Sequence, residues 1–134
     1  MTGMFEAARV AICASAPAEI LSLIALRAKD RALARSRAIV DVNLALLDGM
    51  FARRAGQLSW VRPRGGPVGF PEVHGVPVDR LAEELLAAEG VLIAPASIFG
   101  YGGNRFRLGF GRTDLPVALA GLEAFLDRTL GKEA

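Results

Sequence analysis

The segment Gly100–Arg112, GYGGNRFRLGFGR, decides how the second half of this chain folds. It packs five glycines and three arginines into thirteen residues, with apolar side chains alternating between them. At the two-residue period of a strand, Phe106, Leu108 and Phe110 face one side, and Arg105, Arg107, Gly109 and Gly111 face the other. An ordinary solvated strand face would carry Thr, Lys or Glu at those positions. This one sets guanidinium groups beside Gly109 and Gly111, which leave room for a ligand. A guanidinium so placed offers two parallel N–H donors to a carboxylate or phosphate. An anion site and a solvated arginine face both fit that local pattern.

Working outward, the neighbouring segments place this strand in an α+β domain. Pro17 marks a helix start and Glu19 complements its N-terminal dipole. No further proline appears before Arg54, and Ile20, Leu23, Ile24, Ile39, Val42, Leu46 and Met50 recur at helical spacing, predicting one long helix. Its middle, RAKDRALARSR (Arg27–Arg37), is charged and has no aromatic interleaved, which suits a solvated helix better than a nucleic-acid contact. Gly56 ends the helix. QLSWVRP (57–63) and PVGFPEV (67–73) read as strands around the turn Arg64-Gly65-Gly66, so Trp60 and Phe70 fall in one hairpin. Asp79 is the expected N-cap of a helix carrying Leu81, Leu85 and Leu86, stopped by Gly90. VLIAP (91–95) reads as a buried strand, and Leu115–Leu130 as a helix with the stripe Leu119, Leu122, Phe125 and Leu126. The expected order is one long N-terminal helix, then ββαββα: a small, mostly antiparallel sheet with helices packed on one face.

Composition narrows the function classes. The chain has 134 residues, 52% hydrophobic and 22% charged, which suits one folded domain and argues against disorder. A net charge of +2 points to no nucleic-acid partner. The single cysteine, Cys13, excludes an internal disulfide framework. RVAICASAP near the N-terminus imitates a secretory signal, but its apolar run is short and Glu6 stands in the would-be basic region. Pro17 and Glu19 interrupt any membrane span, so a cytoplasmic location is expected. His74 is the only histidine, with no second histidine or cysteine at ligand spacing, so no metal site is expected. Ser97 is not in a nucleophile-elbow setting, and GYGG is followed by a strand, not by the helix of a dinucleotide fingerprint. No catalytic residue is assigned.

Several segments in order do resemble one family: ICASAPAEILSLIALR, NLALLDGMFARRAGQLSWVRPRGGPVGFPEV, GVLIAPASIFGYGGNRFRLGFGR and LPVALAGLEAFL. Together they are similar to the C-terminal small domain of class I/II (fold type I) pyridoxal-phosphate-dependent aminotransferases, from about Phe5 to Leu126. The resemblance implies an inter-domain link over residues 1–16 and the small domain over 17–134. It implies that Arg107, in FRLGFG, holds the α-carboxylate of an amino acid or 2-oxo acid substrate. Arg105 falls where the family's pattern is freer. Ala96 stands where the family usually has glycine, which would strain the loop if that position needed positive φ. The lysine, the aspartate and the phosphate clamp that hold the cofactor belong to the family's large domain, outside the matching segments. Neither Lys29 nor Lys132 lies in one of them. The expectation is a truncated, fragment-like chain that binds no pyridoxal phosphate alone and is inactive alone, from an enzyme that forms homodimers.

Two other readings stay open. A freestanding α+β interaction or RNA-binding module could use the basic strand face, although Phe106 and Phe110 point away from the arginines. A small domain with an uncovered apolar surface would instead self-associate.

Overall fold

A computed structural model describes residues 15–130, so Cys13, the signal-like segment and Lys132 lie outside the described residues. Contact density divides the chain into residues 1–35 and 36–134. Among the described residues, no helix is long and apolar enough to cross a membrane.

In the first unit, α1 (Ala16–Arg27) starts with Pro17 and Glu19 in its first turn, as the sequence indicates. It stops at Ala28, whose φ of −96° and ψ of 5° break the α geometry. The helix α2 (Lys29–Arg53) then begins, so the single long helix expected from Pro17 is two. No proline or glycine announces the break. None of the residues of α1 is buried, and Ile20, Leu23 and Ile24 are exposed.

The second unit holds the core. The buried stripe of α2 is Asn43, Leu44, Leu47, Met50 and Phe51. Val42 and Leu46, expected inside, are exposed. This helix is apolar around much of its circumference, so periodicity alone allows either face to pack, and tertiary contacts choose.

Five short strands make a two-stranded and a three-stranded sheet. These are β1 (Leu58–Ser59), β2 (Val68–Gly69), β3 (Glu72–Val73) and β4 (Ala94–Pro95), with β5 at Phe106–Gly109. All pairings are antiparallel: β1 with β3, and β2 and β4 on either side of β5. The expected hairpin of 57–63 with 67–73 forms at its base, where Leu58 pairs with Val73 and Ser59 with Glu72, while Val68 and Gly69 pair with β5 instead. The expected strand over 67–73 nevertheless runs along β5 in one register. Phe110 N–H bonds Pro67 O, Phe106 N–H bonds Pro71 O, and Val73 N–H bonds Asn104 O. Glu72 bridges Arg105 in the same register. Pro67 and Pro71 occupy positions that would donate back to β5, and having no N–H they divide the ladder into two short strands.

Helices α3 (Val78–Glu89) and α4 (Leu115–Leu130) complete the unit. Pro77, not Asp79, is the N-cap of α3; Asp79 sits in the first turn and accepts from Ser97 Oγ. The N-terminal donor is capped from another segment, by Asn104 Oδ1 on Val78 N–H at 2.7 Å. Gly90, left-handed at φ 66°, ends the helix as expected. Leu81 and Leu85 are buried, whereas Leu86 is exposed. On α4 the whole stripe of Leu119, Leu122, Phe125 and Leu126 is buried. The α+β class therefore holds, with the sheet short-stranded and antiparallel.

Candidate functional site

The alternation of β5 is the feature on which the site depends. Phe106 and Phe110 are fully buried and Leu108 nearly so, while Arg107 and Gly109 are exposed. Burying those three side chains stabilises the fold by roughly 1.5–3 kcal/mol each. That anchorage forces the odd-numbered positions to the opposite face. The segment after β5 is held by Asn43, a 2% exposed side chain on α2 whose Nδ2 donates to Phe110 O (2.9 Å) and Arg112 O (2.7 Å). The segment before it is held by Asn104, whose Nδ2 donates to Val73 O and Val76 O, both at 2.6 Å.

Three arginines of this segment have different fates. Arg105 meets Glu72 at 2.6 Å, and both are about one-third exposed. Arg112 meets Asp114 at 2.6 Å; this hydrogen bond raises the pKa of the guanidinium and lowers that of the Asp114 carboxyl. Arg107 has no hydrogen-bonded or ion-paired partner among the described residues.

The register places Arg107 among apolar neighbours. Segment 67–73 and β5 pair so that Phe70 lies directly opposite Arg107, in a position without backbone hydrogen bonds between them. At such positions the strands approach most closely and the side chains share a face. On the other side, Ala94 of β4 is opposite Arg107. Tyr101 meets Phe70 edge-on with ring centroids 5.7 Å apart. Arg107 and Gly109 open onto a groove of about 790 Å³, which Leu92 and Val117 also line.

The two glycines assigned to ligand space differ. A Cβ at Gly109 would meet nothing within 4 Å. At Gly111 it would come within 2.9 Å of Pro67 Cβ, so the expected room there is occupied by the chain itself. Ala96 lies in the 3₁₀ turn Ala96–Phe99, and no described non-glycine residue has positive φ, so it introduces no strain of that kind.

Other sequence candidates stay apart from this groove. His74 is exposed and shares a hydrogen bond with Ser59 Oγ at 2.9 Å. Among the described residues, no group of three or more His, Cys, Asp or Glu could hold a metal ion. Trp60 stacks on Phe51, centroids 4.4 Å apart, with its ring 3.2 Å from where a Cβ of Gly69 would stand. It is a packing residue. Sequence reasoning missed Asn43, Asn104 and the position of Phe70. A polar residue inside the apolar run of α2 was a visible hint for the first. The spacing of Pro67 and Pro71 was a hint for the third.

No family model matches the sequence, and neither does any curated protein. Solved structures do. A pyridoxal-phosphate (PLP)-dependent aminotransferase from Streptococcus suis matches 87% of this chain at 30% identity, with a TM-score of 0.79. The PLP-dependent cyclase OrfR matches 90% at 30% identity and the same TM-score. An aromatic aminotransferase from Pyrococcus horikoshii matches 73% at 24% identity with a TM-score of 0.61, a likeness of fold alone. The fold is one found within PLP-dependent enzymes. The chain spans about a third of the length of these neighbours, between 27% and 34%.

The described residues around the groove do not fit that cofactor's covalent attachment. Holding it as a Schiff base takes a lysine amine, and no lysine lines the groove. The one lysine among the described residues, Lys29, is exposed at the start of α2.

Proposed function

We propose that residues 17–134 act as the small domain of a PLP-dependent aminotransferase and that Arg107 receives the carboxylate of an amino acid or 2-oxo acid. The observation that carries this reading is the guanidinium of Arg107, unpaired among the described residues and exposed between Phe70 and Ala94, while Arg105 and Arg112 are each neutralised by a carboxylate. A guanidinium free of protein partners keeps its bidentate edge for a ligand. Mounted on a short strand whose opposite face is buried, it holds that ligand in a fixed direction. Its contribution is positioning: orienting a substrate can supply several kcal/mol of a barrier without any proton transfer by the orienting group.

The cofactor, its lysine and the proton-transferring groups would come from polypeptide outside this sequence. Pyridoxal phosphate itself supplies the electron-withdrawing ring of the reaction. Residues 1–16 would be the link to the remainder of the enzyme. Homodimer formation belongs to the same reading.

Two titrations of the 134-residue chain test it. Alanine should bind with its carboxylate on Arg107, and Arg107→Gln should abolish that binding while Arg105→Gln keeps it. Pyridoxal phosphate should give neither saturable absorbance change beyond a Lys29→Ala, Lys132→Ala control nor oxo-acid formation. Equal binding by Arg107→Gln, or turnover by the chain alone, would overturn the proposal.

A further inference from the structure

Asn43 is the sole buried polar side chain among the described residues, set in a stripe of α2 with Leu44, Leu47, Met50 and Phe51. A buried amide costs free energy unless its hydrogen bonds are made, and an apolar residue would fill the same place without that demand. What the amide does there follows from the register along β5. Phe110 and Pro67 form a hydrogen-bonded pair, with Phe110 N–H donating to Pro67 O at 2.7 Å. The return bond, to Phe110 O, needs an N–H that proline lacks. Asn43 Nδ2 supplies it at 2.9 Å, and also donates to Arg112 O at 2.7 Å. The side chain therefore replaces a missing rung of the ladder and holds the carbonyls on both sides of Gly111.

Those carbonyls belong to the segment that joins two parts of the groove. Arg107 and Gly109 stand before it; Arg112, Asp114, Leu115 and Val117 come after it, and all six line the groove. The Phe110 ring is anchored in the core, but burial of the ring leaves the peptides that follow free to turn. Gly111 has more backbone freedom than any other residue type, so without the two bonds it would let Arg112 and the first turn of α4 swing relative to Arg107.

We infer that Asn43 is a positioning residue of the carboxylate site. By bonding on both sides of Gly111 it fixes the wall formed by Arg112, Asp114 and the start of α4 against Arg107, in the groove where an amino acid or 2-oxo acid would lie. The inference rests on the role proposed for Arg107. Asn43 acts through the backbone and touches no ligand.

The test follows the Arg107 Nε–Hε resonance of the 134-residue chain during titration with alanine, alongside the urea midpoint of each variant. In folded Asn43→Ala, alanine should bind about tenfold more weakly, the scale on which a misplaced ligand-orienting group loses its ligand. Leu47→Ala, one turn further along the same buried stripe, should lower the urea midpoint at least as much and keep the parent affinity. Gly111→Ala pushes the same segment from the other side, against Pro67, and should weaken alanine binding with Asn43 intact. Binding by folded Asn43→Ala within about twofold of the parent, the scatter of uncoupled sites, would overturn the inference and leave the carboxylate role standing. Should Asn43→Ala not fold, unchanged binding by Gly111→Ala would overturn it in the same way. Equal weakening in Leu47→Ala would also overturn it, because any loss of core stability would then suffice. No saturable shift of Arg107 in the parent chain would overturn the carboxylate role and the positioning role with it.

Discussion

The two faces of β5 are built from alternate residues of one short segment, yet they answer to different constraints. The inner face, Phe106, Leu108 and Phe110, is buried in one core cluster with residues of α2, α3 and α4. The outer face holds two arginines and two glycines, one arginine ion-paired and the other without a partner among the described residues. The inner residues can vary only at the expense of folding. The outer ones can vary at the expense of the ligand proposed for Arg107.

The largest expected effect comes from breaking the inner face. Phe106→Ala should cost about 3–5 kcal/mol, visible as a lower denaturation midpoint in urea, because a fully buried ring leaves a cavity that short strands cannot fill. If its loss is below about 1 kcal/mol, the inner face is not the anchor described here. Asn104→Ala should follow at about 2–3 kcal/mol, since the side chain makes three hydrogen bonds and its removal strands the Val78 N–H at the start of α3. Hydrogen exchange at Val78 and its neighbours should rise before the rest of the unit opens.

The glycines sharpen the comparison on the outer face. Gly111→Ala should cost about 1–3 kcal/mol through its contact with Pro67. Gly109→Ala should stay within about 0.5 kcal/mol of the parent chain. Equal effects would mean that the free space at Gly109 is not maintained in solution. The smallest effect is electrostatic. The Asp114 carboxyl is held below the ordinary carboxylate value by its hydrogen bond to Arg112. A depressed pKa in the folded state means that the stabilisation is complete above the unfolded value of about 3.9 and is lost as pH falls through the lower folded one. Asp114→Asn should therefore lower stability slightly at neutral pH, with the difference from the parent chain shrinking as pH falls through the folded value. A difference that persists undiminished at acid pH would contradict that assignment.

Much of this was legible in sequence, and for a definite reason. Alternation at β5, the stripe of α4 and the Gly90 stop are local signals with one reading each, and each appears as expected. The strand over 67–73 and its pairing with 57–63 were legible, but its second partner was not. Pairing 67–73 with β5 depends on which edges are free once the core has closed. Likewise α2 offered two apolar faces, and only contact with the sheet and α4 decided that Leu44 and Leu47 go inside while Val42 and Leu46 remain out.

The same division runs through the site. Sequence by itself determined that Arg107 and Gly109 share the face opposite Phe106, Leu108 and Phe110, because side-chain alternation is a property of the strand backbone. Only the tertiary structure decided which arginine is free. Glu72 reaches Arg105 and Asp114 reaches Arg112, while Phe70 and Ala94 flank Arg107. Those partners are set by inter-strand register and chain reversal, which depend on residues distant in sequence being brought alongside one another.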